Sequence, residues 1–198
     1  MRSGVLALAL LLAPLRAIAG AQIYEPLSAS MAVQMSAAIA DRGPVFFNFK
    51  NPNDAHKWIE DMSRRLRTRI PDRKDRIEFL KSVQHEALRA RLDPQLVLGL
   101  IQVESGFRKY AVSSAGARGY MQVMPFWIKL IGKPGDDIFR MRTNLKYGCA
   151  ILRLYLDIEN GDYFRALGRY NGSLGQPEYP NAVNAAWQGS WKYDGATS

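Results

Sequence analysis

The chain has 198 residues, 47% of them hydrophobic, and carries a formal charge of +9 with a pI near 9.8. That length fits one domain, or one domain with an extension, and is ample for a buried core. Its single cysteine, Cys149, excludes an internal disulfide framework and a thiolate-built zinc site.

The amino terminus reads as a cleavable secretory leader, which we place at residues 1–21. Met1-Arg2 supplies a charge, Val5 to Leu12 an apolar run, and Ala17-Ile18-Ala19-Gly20-Ala21 the small residues that a signal peptidase accepts. The run falls well short of the roughly 20 residues a membrane-spanning helix needs. No cysteine flanks the cleavage region for lipid attachment, so the expectation is a periplasmic or secreted protein that is not a lipoprotein. Losing Arg2 and Arg16 with the leader leaves +7, a balance suited to an anionic partner: nucleic acid, anionic lipid, or a wall polymer whose peptide stems carry carboxylates. Export makes nucleic acid the poorest of these.

Downstream, apolar residues recur mostly at helical spacing, and strand-like alternation is confined to Val45 through Phe49, so an all-α fold is predicted. Asn53 or Asp54 is predicted to cap a helix carrying Ile59, Met62 and Leu66. Pro71 opens a second carrying Ile77, Leu80, Val83 and Ala87, and Asp93-Pro94 starts a third that ends at Gly106. Residues 22–70, broken at Pro44 and at Asn51 to Asn53, read as an N-terminal helical extension without an assigned role, and residues 71–198 as the main domain. The cations Arg64, Arg65, Arg67, Arg69, Arg73, Lys74 and Arg76 read as a solvated helix surface. A loop through Ser113, Ser114, Gly116 and Gly119 follows the third helix, and Pro125 begins a short one. A long helix spans Thr143 to Glu159, where Cys149 shares a stripe with Leu145, Leu152 and Leu156 and reads as a small buried hydrophobe. Asp162 caps a helix to Tyr170, Asn171-Gly172-Ser173-Leu174-Gly175 turns, and Asn181 to Trp191 forms the last helix.

On the third helix Gln95, Gly99 and Gln102 are predicted to share a polar face. Glu104 does not join them: it lies three, four and seven residues after Ile101, Leu100 and Val97, on the apolar stripe. Desolvation there disfavours the carboxylate, and the negative end of the helix dipole acts in the same direction, so the proton is held tightly. A general acid working near neutral pH needs that property. The competing reading is a buried ion pair with Arg108 or Arg118. A two-acid glycosidase lacks an evident second carboxylate, because no acid lies between Glu104 and Tyr120, and Asp136 and Asp137 fall in a surface turn. One acid suffices for both proton transfers if the substrate's own hydroxyl is the nucleophile.

Glu104-Ser105 closing an apolar helix, Gly119-Tyr120-Met121-Gln122 after a glycine-serine loop, and Arg169-Tyr170-Asn171 closing a later helix together resemble the soluble lytic transglycosylases, the SLT group of glycoside hydrolase family 23. Leu92-Asp93-Pro94, Ala111-Val112-Ser113 and Ala115 through Gly119 carry the similarity between them, over about Phe79 to Leu174. The resemblance implies an all-α, goose-type lysozyme-like domain acting on peptidoglycan glycan strands without cofactor or metal. It implies that Glu104 protonates the glycosidic oxygen between N-acetylmuramic acid and N-acetylglucosamine. The same residue then takes the proton of the muramyl C6 hydroxyl as a 1,6-anhydro ring closes. It also implies that Ser113 and Met124 position the muramyl sugar and that Gln122 contacts substrate near the acid. Tyr170 would stand beside the glutamate, and Asn171 would hold the turn or reach the glycan. Tyr120 stands where the family commonly has leucine, and Asn171-Gly172-Ser173-Leu174-Gly175 replaces the commoner asparagine-alanine-glycine turn. Two other readings share the fold: a hydrolytic muramidase that holds a water in place of the C6 hydroxyl, and a non-catalytic peptidoglycan-binding component of a secretion apparatus. A small enzyme of this kind would suit a secretion or pilus assembly by opening gaps in the wall.

Overall fold

Helices account for nearly all the regular structure in the computed structural model, whose described residues are 22–40 and 51–195. The predicted leader and the strand-like stretch Val45 to Phe49 lie outside the described residues. In chain order the helices are α1 (Ala29–Ala40), α2 (Pro52–Leu66), α3 (Arg73–Arg89), α4 (Pro94–Ser105), α5 (Phe126–Ile131), α6 (Met141–Ile158), α7 (Tyr163–Asn171) and α8 (Glu178–Ala185), the last running into a π-type turn over Ala186–Ser190. Extended pairing among the described residues is limited to bridges joining Val112 to Arg118 and Arg118 to Val123. The all-α expectation is met.

Two helix starts are the expected ones. Asp93 accepts the amide of Gln95 at 2.8 Å, with Pro94 in the first turn, and Asp162 accepts the amide of Arg165 at 3.0 Å. Two caps differ from expectation by a residue or more. Asn51, not Asn53 or Asp54, caps α2, because the residue before a proline is driven to the extended conformation that an N-cap uses; its side chain accepts the Asn53 amide at 2.9 Å. Asp72, not Pro71, begins α3, its carboxylate accepting the Asp75 amide at 2.8 Å. The closing helix starts at Glu178, earlier than Asn181, because Pro180 falls in the first turn, where a missing N–H has no intrahelical partner to lose.

One apolar core runs through all of these elements. Trp58, Met62 and Leu66 of α2 are fully buried in the same cluster as Phe79, Leu80 and Val83 of α3, Leu96 and Leu100 of α4, and Leu145, Ile151 and Leu152 of α6. Cys149 is buried among them. The cationic run is only in part a solvated face. Arg65 donates to the carbonyls of Ser190 and Lys192, both at 2.9 Å, and Arg76 to those of Ile70 and Pro71 at 2.7 and 2.6 Å. Arg69 lies 5.6 Å over the Phe107 ring. Carbonyls in the segments that follow helices, left without intrahelical partners, recruit these guanidinium groups.

The predicted polar face of α4 is covered by the C-terminal segment. Gln95 is 6% exposed, Gln102 accepts the Trp191 indole N–H at 2.9 Å, and Asp93, besides capping, accepts that of Trp187 at 2.8 Å. Gly99 allows this approach, because a Cβ there would stand 2.9 Å from the Trp187 backbone nitrogen. Gly99→Ala is therefore expected to destabilise the fold by about 1–3 kcal/mol, measured as a lower midpoint in urea at unchanged slope.

Candidate active site around Glu104

Glu104 occupies the last turn of α4, which Gly106 ends in the left-handed conformation at φ 58°. The residue is 3% exposed. Its Oε1 accepts the hydroxyl of Tyr179 at 2.5 Å, while Oε2 is buried without a hydrogen-bond partner among the described residues. The ion-pair alternative does not occur: Arg108 Nε donates to the Ser105 carbonyl at 2.9 Å, and the Arg118 guanidinium lies over the Phe139 ring at 5.6 Å. Burial pushes the Glu104 carboxyl up to about 8, outweighing the hydrogen bond from Tyr179, which lowers it. Burial therefore favours the protonated carboxyl near neutral pH.

Residues 107–124 fold over this acid by polar anchoring. The Ser105 hydroxyl donates to the Tyr120 carbonyl at 2.7 Å, fastening the loop to the end of α4. Asn144, fully buried on α6, donates to the carbonyls of Arg118 and Ile138, each at 2.8 Å, and accepts the Met121 amide at 2.7 Å. Gly119 is required beside it: φ is +76°, and a Cβ would come within 2.4 Å of the Asn144 amide nitrogen. Gln122 also has a positive φ, 47°, and is held by its own side chain, which donates to the carbonyls of Gly119 at 2.8 Å and Ala111 at 3.2 Å. Met121 is core filling, packed where Gly148 leaves room.

The predicted site residues fall as follows. Ser113 is half-buried and accepts the Ala117 amide at 3.1 Å. Met124 is half-buried, its amide donating to Gln22 at 2.9 Å. Asn171 is buried and donates to the Ser173 hydroxyl at 2.9 Å, within the turn. Tyr170 is fully buried, which raises its phenol well above the usual range with a smaller contribution from Glu104, and its hydroxyl donates to the Met121 carbonyl at 2.7 Å. The tyrosine bonded to the carboxyl is Tyr179, whose phenol is raised well above the usual range by burial and by Glu104. Sequence reasoning missed Tyr179 and Asn144. Asn144 was findable, since it shares a stripe with Gly148, Ile151 and Tyr155 just as Glu104 shares one with its apolar neighbours. Tyr179 carried no such signal. A cavity of about 720 Å³, walled in part by Asp75, Lys109, Tyr120, Asp136 and Lys146, does not include Glu104. Among the described residues no cluster of three or more His, Cys, Asp or Glu is placed to hold a metal.

The family profile described as Transglycosylase SLT domain matches residues 81–186, a range that contains Glu104, the anchored loop, Asn144, Tyr170 and Tyr179. A transglycosylase of Enterobacteria phage PRD1 is 32% identical over 103 residues, covering 52% of this chain and 38% of that protein. Membrane-bound lytic murein transglycosylase C of Histophilus somni is 36% identical over 113 residues, covering 49% and 31%. Its namesake in Actinobacillus pleuropneumoniae is 48% identical over 62 residues, covering 31% and 15%. The chain thus spans well under half the length of these curated relatives.

A buried carboxyl held at about 8 binds its proton more tightly folded than unfolded, so its contribution to stability falls as pH rises from about 4.5 to about 8. Glu104→Gln removes that penalty while keeping an acceptor for Tyr179. The variant is expected to be more stable than the unmutated chain by roughly 3 kcal/mol at pH 7, with the gain vanishing near pH 4, as read from denaturant midpoints across pH.

Proposed function

The chain belongs to the transglycosylase SLT domain family, a lysozyme-like helical fold, and from that membership we propose that it is a peptidoglycan lytic transglycosylase with Glu104 as its one acid and base. The observation that carries this reading is a carboxyl buried at the end of α4, protonated near neutrality, with one oxygen held by Tyr179 and the other unpartnered. Glu104 delivers its Oε2 proton to the glycosidic oxygen between N-acetylmuramic acid and N-acetylglucosamine, and the C1–O electron pair leaves with that oxygen. The muramyl C6 hydroxyl then forms the new bond to C1, its proton passing to the Glu104 carboxylate. The acid is restored and no water is consumed.

Tyr179 serves the second half of this cycle. A hydroxyl hydrogen bond strengthens when its acceptor is charged, so Tyr179 stabilises the carboxylate that exists between the two transfers. Tyr170 acts through the loop, holding the Met121 carbonyl and so the backbone that leads to Gln122. We assign Ser113 and Met124 to the muramyl sugar, Gln122 to the loop face near the acid, and Asn171 to the turn behind it. A wall substrate places the working protein outside the cytoplasmic membrane, where residues 1–21 would direct it. No helix among the described residues is long and apolar enough to cross a membrane.

Digestion of purified sacculi, followed by mass spectrometry of the released fragments, tests the reaction. Anhydromuramyl ends, one water lighter than reducing ends, are expected from the unmutated protein. Glu104→Gln should lower their release by roughly 10²-fold or more. Reducing ends would identify a hydrolase instead, and sacculi left intact by the unmutated protein a binding protein.

The cutting rate is expected to fall as pH rises through about 8, where the acid loses its proton. Tyr179→Phe removes the interaction that lowers this pKa, so the descending limb should move to higher pH while the maximal rate drops. A rate profile that keeps its limb in place would show that Tyr179 does not act on the carboxyl.

A further inference from the structure

The loop after α4 carries a surface cluster that the proton transfers leave unused. Tyr110 and Val112 are 70% and 60% exposed on the segment leading into Ser113. The Tyr110 ring meets that of Phe139 with centroids 6.0 Å apart. Lys109 Nζ stands 5.1 Å over the Tyr110 ring, and the Arg118 guanidinium covers Phe139. Neither cation has a carboxylate within ion-pair distance among the described residues, whereas Arg65, Arg73, Arg89, Arg153, Arg165 and Arg169 each do. The cluster is also rigid at its root: Arg118 exchanges two backbone hydrogen bonds with Val123, each 3.0 Å, and its carbonyl is held by Asn144.

We propose that Lys109, Tyr110, Arg118 and Phe139 bind the carboxylate-bearing peptide stem of a wall strand, so that the chain cuts stem-bearing strands in preference to glycan stripped of peptide. This rests on the reading of Glu104 as a wall-cutting acid. In a stem-bearing strand the muramyl lactyl group is tied up as an amide, so the sugars offer the two cations no charge, whereas the stem presents carboxylates spaced by short alkyl groups. Each cation already lies against a ring, and a carboxylate adds a charge-assisted hydrogen bond without displacing that contact. Rings and cations held in place before binding lose little conformational freedom on capture. Position agrees with chemistry: the stem hangs from the muramyl sugar, which we assign to Ser113, one residue past Val112.

The test compares kcat/KM on intact sacculi with that on the same strands after an amidase has removed their peptides and the lactyl carboxylates so exposed have been converted to amides, for the unmutated chain and for Lys109→Glu/Arg118→Glu. The ratio of stem-bearing to stripped turnover is expected to fall roughly tenfold in the charge-reversed chain, about the worth of one charge-assisted hydrogen bond. Tyr110→Ser, a milder change, should lower the ratio in the same direction. An unchanged ratio, or equal loss on both substrates, overturns the proposal. If the unmutated chain cuts neither substrate, titration with free stem tetrapeptide decides. Binding weakened by charge reversal sustains the stem site while the cutting reading fails. No binding, or binding indifferent to charge reversal, overturns it, as does capture by anionic lipid vesicles in place of the tetrapeptide.

Discussion

The hydrogen bond from Tyr179 to Glu104 joins groups 75 residues apart and sets what the rest of the structure must provide. A carboxyl buried to 3% exposure cannot stay charged without a partner, and a strong partner such as arginine would strip it of its proton at neutral pH. A phenol is the intermediate choice. It donates to either protonation state, and it lowers the carboxyl's pKa by less than burial raises it. Bringing that phenol to α4 requires α8 to lie close along it, which Gly99 permits sterically and the indole hydrogen bonds of Trp187 and Trp191 secure. The acid and its neighbour are thus products of one helix packing against another.

The loop over the acid solves a different problem. Residues 107–124 contain little regular structure, so their buried backbone groups have no ladder or helix to pair with. Side-chain amides and two hydroxyls take that role. Within the loop Asn144 satisfies one carbonyl and one amide, besides the carbonyl of Ile138 beyond it, Gln122 two carbonyls, Ser105 one and Tyr170 one. Deleting any of these strands a buried partner, which costs about 1–3 kcal/mol, more than the hydrogen bond itself contributes. Side-chain anchoring thus does for this loop what backbone pairing does for the helices.

How much of this could be read from the chain depended on whether the signal was local. Helix periodicity, the caps at Asp93 and Asp162, and the stop at Gly106 are local and appear as expected. Glu104 was legible because a charged residue on an apolar stripe violates the helix's own pattern. Asn144 violates the pattern of α6 in the same way, and the same rule applied there would have found it. Tyr179 violates nothing, since a tyrosine beside a proline in a helix's first turn is unremarkable until α4 is seen opposite. The polar face of Gln95, Gly99 and Gln102 failed for the converse reason: amides and a glycine look solvated, yet the C-terminal segment packs on Gly99 and Trp191 donates to Gln102. Arg65 and Arg76 likewise looked solvent-facing until the carbonyls they cap were in view.

The same logic explains why residues far upstream of the family match are tied to the loop. After Asn144, Gln122 and Ser105 have taken their partners, the loop still has the carbonyl of Gln122 and the amide of Met124 unpaired, one acceptor and one donor two residues apart. Gln22 answers both, donating to the first at 3.0 Å and accepting from the second at 2.9 Å, so a primary amide closes what a strand would otherwise close. Three residues later Glu25 accepts from Arg169 at 2.8 Å, and Arg169 pairs with Glu159 at 2.6 Å, tying the same segment to α7 and to the end of α6. Burial favours the neutral form of a carboxyl, but the two guanidinium groups on Glu159 win and hold it below the usual carboxylate range. A domain drawn from residue 81 onward would thus leave two backbone groups of that loop without partners and one guanidinium short of a carboxylate. The segment from Gln22 to Glu25 supplies hydrogen-bond and ion-pair partners that the helices do not.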